Sequence, residues 1–202
     1  MKLTPTNAFI GLLIVALLAV GYGLWTRRRT DGGVTVDDMA GMVNIAPLAN
    51  LTTSSTYENP TAFKATKTIL SDILPTPYNW DMSSGWNDNT RSVFPDWVVL
   101  EWPTSVKIGQ VTVTSLAGKE GGSYLPGTGA AGGNLGLKDY VVQIWNGTDW
   151  QTVSTVAGND RDQVTSNLAS VVTTQKLRVY ITASQDGTWS RITQIQVKGK
   201  VA

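Results

Sequence analysis

The chain has 202 residues, 42% hydrophobic and 15% charged, with 16 Lys and Arg against 15 Asp and Glu, which leaves room for one ordinary domain plus an appendage. It contains no cysteine and no histidine, so disulfide frameworks, thiolate nucleophiles, Cys-ligated zinc and every Ser-His or Cys-His pairing are excluded. Lys2 and Arg27 to Arg29 precede the first acidic residue, Asp31; from there on 12 basic residues face 15 acidic ones, a balance that supplies no clustered basic face and argues against nucleic acid as a partner.

Residues 1–29 read as a membrane anchor. Ala8 to Trp25 is uncharged for 18 residues, and as a helix rises about 27 Å, close to the hydrocarbon thickness of a bilayer. Tyr22 and Trp25 fall where amphipathic rings prefer the interface, and Arg27 to Arg29 supply a charged stop. The alternative is a cleaved signal peptide with Ala19-Val20-Gly21 as its small-residue site. The positive-inside rule weighs Arg27 to Arg29 against Lys2 and favours a carboxy-terminal domain on the cytoplasmic side.

Residues 30–43 mix Gly, Asp and small residues without a sustained period and read as a linker that packs partly on the following domain. The domain itself spans 44–202. Short β-rich segments separated by Gly, Pro, Asn and Ser clusters predict an all-β sandwich or barrel. Strands are expected at Trp97 to Trp102, Val106 to Ser115, Lys176 to Thr182 and Ile192 to Lys198. Lys138 to Val156 predicts a hairpin on Asn146-Gly147, a pair suited to a type I′ turn. Gly118 to Gly136 holds eight glycines and reads as a long loop, either a plain insertion or one whose apolar tip, Tyr124 and Leu125, orders against a partner.

The aromatic residues divide by context. Trp97, Trp102, Trp145 and Trp150 lie on or beside predicted strands and suit core or sheet-surface packing. Trp80, Trp86 and Trp189 lie in loop-like surroundings, where a ring either stacks on a ligand or plugs an open end of the sandwich. Arg91 and Arg191 are close to them in sequence; an arginine fork beside a Trp gives polar-plus-stacking recognition of a glycan or carboxylate, or else bonds loop carbonyls. Asp81 and Asp88 share one loop with nothing to set the separation that paired-carboxylate hydrolysis needs, so no enzyme is expected.

The order of segments resembles the discoidin, or coagulation-factor C-type, family of galactose-binding-like domains. The likeness runs through 44–72, then WNDNTRSVFPDWVVLEW (86–102), 106–114, the KDYVVQIWNGTDW hairpin within 137–156, and the closing KLRVYIT…SRITQIQVKG of 176–199. It implies an eight-stranded jelly-roll sandwich that binds glycans, lipid head groups or proteins through loops at one end. It also implies a structural calcium, with Asp72 at the turn after the first strand and Asp81, Asp88 and Asn89 as further oxygen ligands. Here the pattern departs from the family: Gln194 or Gln196 stands where a last-strand glutamate is expected.

The leading expectation is therefore a non-catalytic, membrane-anchored subunit of a larger assembly, such as a virion with an internal membrane, contacting the bilayer and neighbouring protein subunits. The alternative is a surface-exposed, lectin-like module that takes glycans through Trp86, Arg91 and Trp189.

Overall fold

The computed structural model describes residues 35–57, 67–72, 85–116 and 135–202. The expected membrane helix lies outside them, as do Trp80, Asp81, Tyr124 and Leu125. Among the described residues no helix is long and apolar enough to cross a membrane.

Among the described residues eight strands carry the fold: β1 (Val43–Asn44), β2 (Asn50–Thr53), β3 (Trp86–Asn87), β4 (Asp96–Ser115), β5 (Leu137–Trp145), β6 (Trp150–Val156), β7 (Gln163–Ser184) and β8 (Arg191–Val201). They pair in the order β1-β8-β4-β7-β5-β6, with β2 on β4 and β3 on β8, and every pair is antiparallel. The two long strands make this a sandwich. Asp96 to Glu101 of β4 pairs with β2 and with Lys176 to Ile181 of β7, whereas Val106 to Thr114 pairs with Gln163 to Thr174 of β7 and with β8. Register breaks between Glu101 and Val106, the stretch that holds Pro103, which has no N–H for a ladder. Each long strand thus serves both sheets, and the two strands expected at Trp97 to Trp102 and Val106 to Ser115 are one continuous, bent strand.

The core follows the strand alternation. Val98, Leu100, Tyr140, Val142, Leu177, Val179 and Ile181 of one sheet are buried with Ile108, Val111, Val113, Ile192, Ile195 and Val197 of the other in a single cluster. Each such side chain contributes about 1.5–3 kcal/mol relative to exposure. Trp102 closes one edge, its Nε1–H donating to the Ile45 carbonyl at 2.8 Å. Ahead of β1, Met42 is buried, and the Lys200 Nζ donates to the Ala40 carbonyl at 3.3 Å.

The hairpin joins β5 to β6, but its turn differs from the expected type I′. That turn needs positive φ at both central residues, and only Gly147 has it, at 106°. Instead the loop spans four residues, and the Asn146 side-chain oxygen accepts from the N–H groups of Thr148 at 2.9 Å and Asp149 at 2.8 Å. The flanking Trp145 and Trp150 pack edge to face at 5.5 Å on the outer sheet surface. Beside them the Arg178 guanidinium lies 4.3 Å from the Trp150 ring and 4.7 Å from Tyr180, and Gln143 Oε1 accepts from its Nε and Nη2 at 2.9 and 2.6 Å. This is the sheet-surface packing expected of such residues.

Candidate functional site

Three segments meet where β8 begins: the stretch after β2, the turn after β3, and residues 186–190. The Tyr57 N–H donates to the Asn87 carbonyl at 2.9 Å, the Asp88 N–H to Ser190 at 3.1 Å and the Ser92 N–H to Thr188 at 2.7 Å. The Asn89 N–H adds a bond to Ser55 Oγ at 2.9 Å. Ser92 has φ 59°, and such left-handed residues are held only where the surroundings fix them.

On this frame Tyr57, 39% exposed, and the half-buried Trp189 meet edge to face, with centroids 5.6 Å apart and planes at 86°. Arg91, Asn89 and Thr90 are exposed on the adjoining turn. The site therefore offers an aromatic corner bordered by polar groups, the composition of a small-ligand subsite.

Two polar networks hold the corner from below. Asp186 accepts from Ser184 Oγ at 2.8 Å, from the Thr188 N–H and hydroxyl at 3.0 and 2.5 Å, and from Arg191 Nη1 at 2.7 Å. Burial alone would raise its carboxyl pKa, but the hydrogen bonds from Thr188, Arg191 and Ser184 outweigh that and hold it at about 2. In the second network Asp88 accepts from the Ser190 N–H at 2.6 Å and from the Thr90 N–H and hydroxyl at 2.8 and 3.0 Å. Asp96 accepts from Ser190 Oγ at 2.8 Å, Thr90 Oγ1 at 3.1 Å and Ser54 Oγ at 3.2 Å. Desolvation pushes the Asp96 carboxyl above the usual range, the Ser190 bond opposes it, and the nearby Asp88 charge adds to the rise.

The expected site residues separate on these grounds. Trp189 is in the corner and Arg91 on its rim. Trp86 corrects its expectation: it lies in β3, fully buried, with its Nε1–H donating to the Ser55 carbonyl at 2.9 Å, so its ring supports the site from inside and meets no ligand. Arg191 likewise is buried, paired with Asp186 and donating to the Leu135 carbonyl at 3.5 Å. Both took their loop-like appearance from neighbouring Gly, Asn and Ser residues, while β8 claims both for pairing. Trp80 and Tyr124 lie outside the described residues. Tyr57 was missed, because nothing in the Thr/Ser-rich stretch around it points to a residue as distant in sequence as Trp189.

The calcium ligands do not gather. Asp72 Oδ1 accepts from Asn44 Nδ2 at 2.8 Å, and its carbonyl faces Gln196. Asp88 instead lies against Ser190, six residues earlier and so about 20 Å away along an extended chain. Asp81 is outside the described residues. Among the described residues no group of three or more His, Cys, Asp or Glu could hold a metal ion.

No protein-family profile and no curated protein matches the sequence. Solved structures do. Chitosan-binding module 1 of a chitosanase/glucanase from Paenibacillus sp. IK-5 is 19% identical, with a TM-score of 0.56 over 77% of this chain and 98% of that one. A family 32 carbohydrate-binding module from Clostridium perfringens, in complex with galactose, is 10% identical, with a TM-score of 0.55 over 78% and 98%. A second family 32 module from Clostridium perfringens, in complex with GalNAc-β-1,3-galactose, is 14% identical, with a TM-score of 0.54 over 77% and 99%.

The fold is the galactose-binding-like β-sandwich. The expected discoidin-type architecture of eight strands is thereby shown, and the described strands from Val43 to Val201 carry it. Such a fold hosts many ligands, so function rests on the site.

Proposed function

We propose that the domain is a non-catalytic carbohydrate-binding module whose ligand stacks in the corner made by Tyr57 and Trp189. The observation that supports this reading is a partly exposed pair of rings fixed by buried carboxylate networks, with Asn89, Thr90 and Arg91 on its rim. The apolar face of a pyranose suits an aromatic wall, and its hydroxyls suit amide and guanidinium donors. The carboxylates of the frame are engaged: Asp88 and Asp96 are buried and bonded to serine, threonine and backbone groups, and Asp186 is bonded to Ser184, Thr188 and Arg191, so they serve the frame. The likeness to modules named for chitosan and galactose supports the same reading. A glycan array probed with the full-length chain in detergent tests it: retention on one class of galactose- or glucosamine-containing oligosaccharide is expected, and no retention on any glycan overturns it.

The second reading is the anchored assembly subunit, with the domain on the cytoplasmic side or inside a membrane-containing virion. The uncharged run from Ala8 to Trp25 followed by Arg27 to Arg29 supports it. Protease treatment of intact cells or particles separates the two: a digested domain favours glycan recognition outside, a protected one the internal subunit.

A further inference from the structure

The turn at Leu70 to Asp72 presents oxygens of the kind a hard cation takes: successive main-chain carbonyls and one carboxylate. Side-chain amides occupy them instead. Asn44 Nδ2 donates to the Leu70 carbonyl at 3.3 Å and to Asp72 Oδ1 at 2.8 Å. Gln194 Nε2 donates to the Ser71 carbonyl at 2.7 Å, and Gln196 Nε2 to the Asp72 carbonyl at 3.5 Å.

The orientation of the Asn44 amide is settled by its other end. Its Oδ1 accepts from the Ala46 N–H at 3.1 Å and the Val197 N–H at 2.9 Å, so Nδ2 must face the turn. Gln194 is 4% exposed and comes from β8; reversing it would set two oxygens against each other. Three amides from two strands thus converge on one turn, each bringing the positive end of an N–H dipole. Among the described residues a divalent cation there would meet those donors and one carboxylate, which does not suit it.

We infer that an amide clasp of Asn44, Gln194 and Gln196 does the cross-linking for which related domains use a bound calcium, tying the chain's first strand, its last strand and the Leu70–Asp72 turn together without a metal. The neutral glutamine in place of glutamate is then a substitution of mechanism: it removes the charge that would attract a cation and supplies the donor that makes one unnecessary. The domain should fold and persist in the complete absence of divalent ions.

Thermal unfolding of the full-length chain in detergent tests this, with calcium and with chelator. The wild-type midpoint is expected to be the same in both; a rise of several degrees with calcium, or one calcium bound per chain by elemental analysis, would overturn the inference. Gln194→Ala is expected to lower the midpoint by about 3–6 °C equally in both conditions, the effect of one lost buried hydrogen bond in a domain of this size. An unchanged midpoint would also overturn it. Gln194→Glu loses the donor and gains the charge, so its midpoint is expected to fall in chelator and recover with calcium; no recovery would refute the equivalence of amide and ion. If Gln194→Ala does not fold, the wild-type titration decides alone.

Discussion

The Trp189 indole meets the Tyr57 phenol edge to face at 5.6 Å, across 132 residues of sequence, and the Tyr57 N–H is itself fixed to Asn87. Removing either ring opens the corner without touching the core. Trp189→Ala and Tyr57→Ala are each expected to weaken glycan retention at least about tenfold, corresponding to about 1.4 kcal/mol, and to leave the unfolding midpoint within a few degrees. Affinity electrophoresis and circular dichroism on the same samples measure both.

Trp86→Ala should behave in the opposite way. The ring is fully buried and its N–H bonds to Ser55, so truncation costs about 3–5 kcal/mol in stability. Urea unfolding monitored by fluorescence reads that loss. Binding per folded molecule should be reduced only through the shift of Ser55 and Asn89.

Acid should loosen the site before it unfolds the sandwich. The folded pKa of Asp186 is depressed to about 2 from an ordinary 3.8, so its ionised form supports the fold above about pH 4, and that support fades as pH falls towards 2. The full effect is roughly 2 kcal/mol. Asp96, with a raised pKa, works with the opposite sign: its desolvated charge costs stability at neutral pH, and protonation relieves that cost as acid is added. Asp186→Asn should therefore flatten the stability profile between pH 4 and 2, measured by denaturant titration at each pH.

Gly199→Ala should destabilise the domain by about 1–3 kcal/mol through overpacking. An added Cβ would lie 2.4 Å from the Lys107 carbonyl and 2.6 Å from Ile45 Cδ1, and the first of these is backbone that cannot swing aside. A lowered midpoint with unchanged glycan retention is the expected pair of results.

The parts of the fold that were legible in sequence are those where alternation and β-branching coincide, as in β5, β6 and the second half of β7. The first half of β7, Gln163 to Thr174, escaped notice because its exposed positions are Thr, Asn, Ala and Ser and its register shifts against β4 between Ile108 and Gln110. β3 escaped because two residues carry no period, and it was this that left Trp86 looking like a loop tryptophan. Trp189 was legible from its Asp-Gly-Thr surroundings. Its neighbour was not: Tyr57 is brought against Trp189 by three loops closing on one another, which no local pattern encodes. Among the described residues the calcium candidates Asp72 and Asp88 are apart, and this too was not legible locally. Asp72 matched by position, but whether a turn takes an ion depends on what the last strand points at it, and Gln194 points N–H groups.

β8 is paired at its two ends by different strands: Asn87 of β3 lies opposite Arg191, and Asn44 of β1 lies opposite Lys198. The seven residue steps from Arg191 to Lys198 correspond to about 23 Å of extended chain. The aromatic corner and β1 therefore lie towards opposite ends of β8. Substitutions that disturb the pairing of β1 with β8 therefore act at the end of that strand remote from Tyr57 and Trp189, and those at Asn87 or Arg191 act beside them.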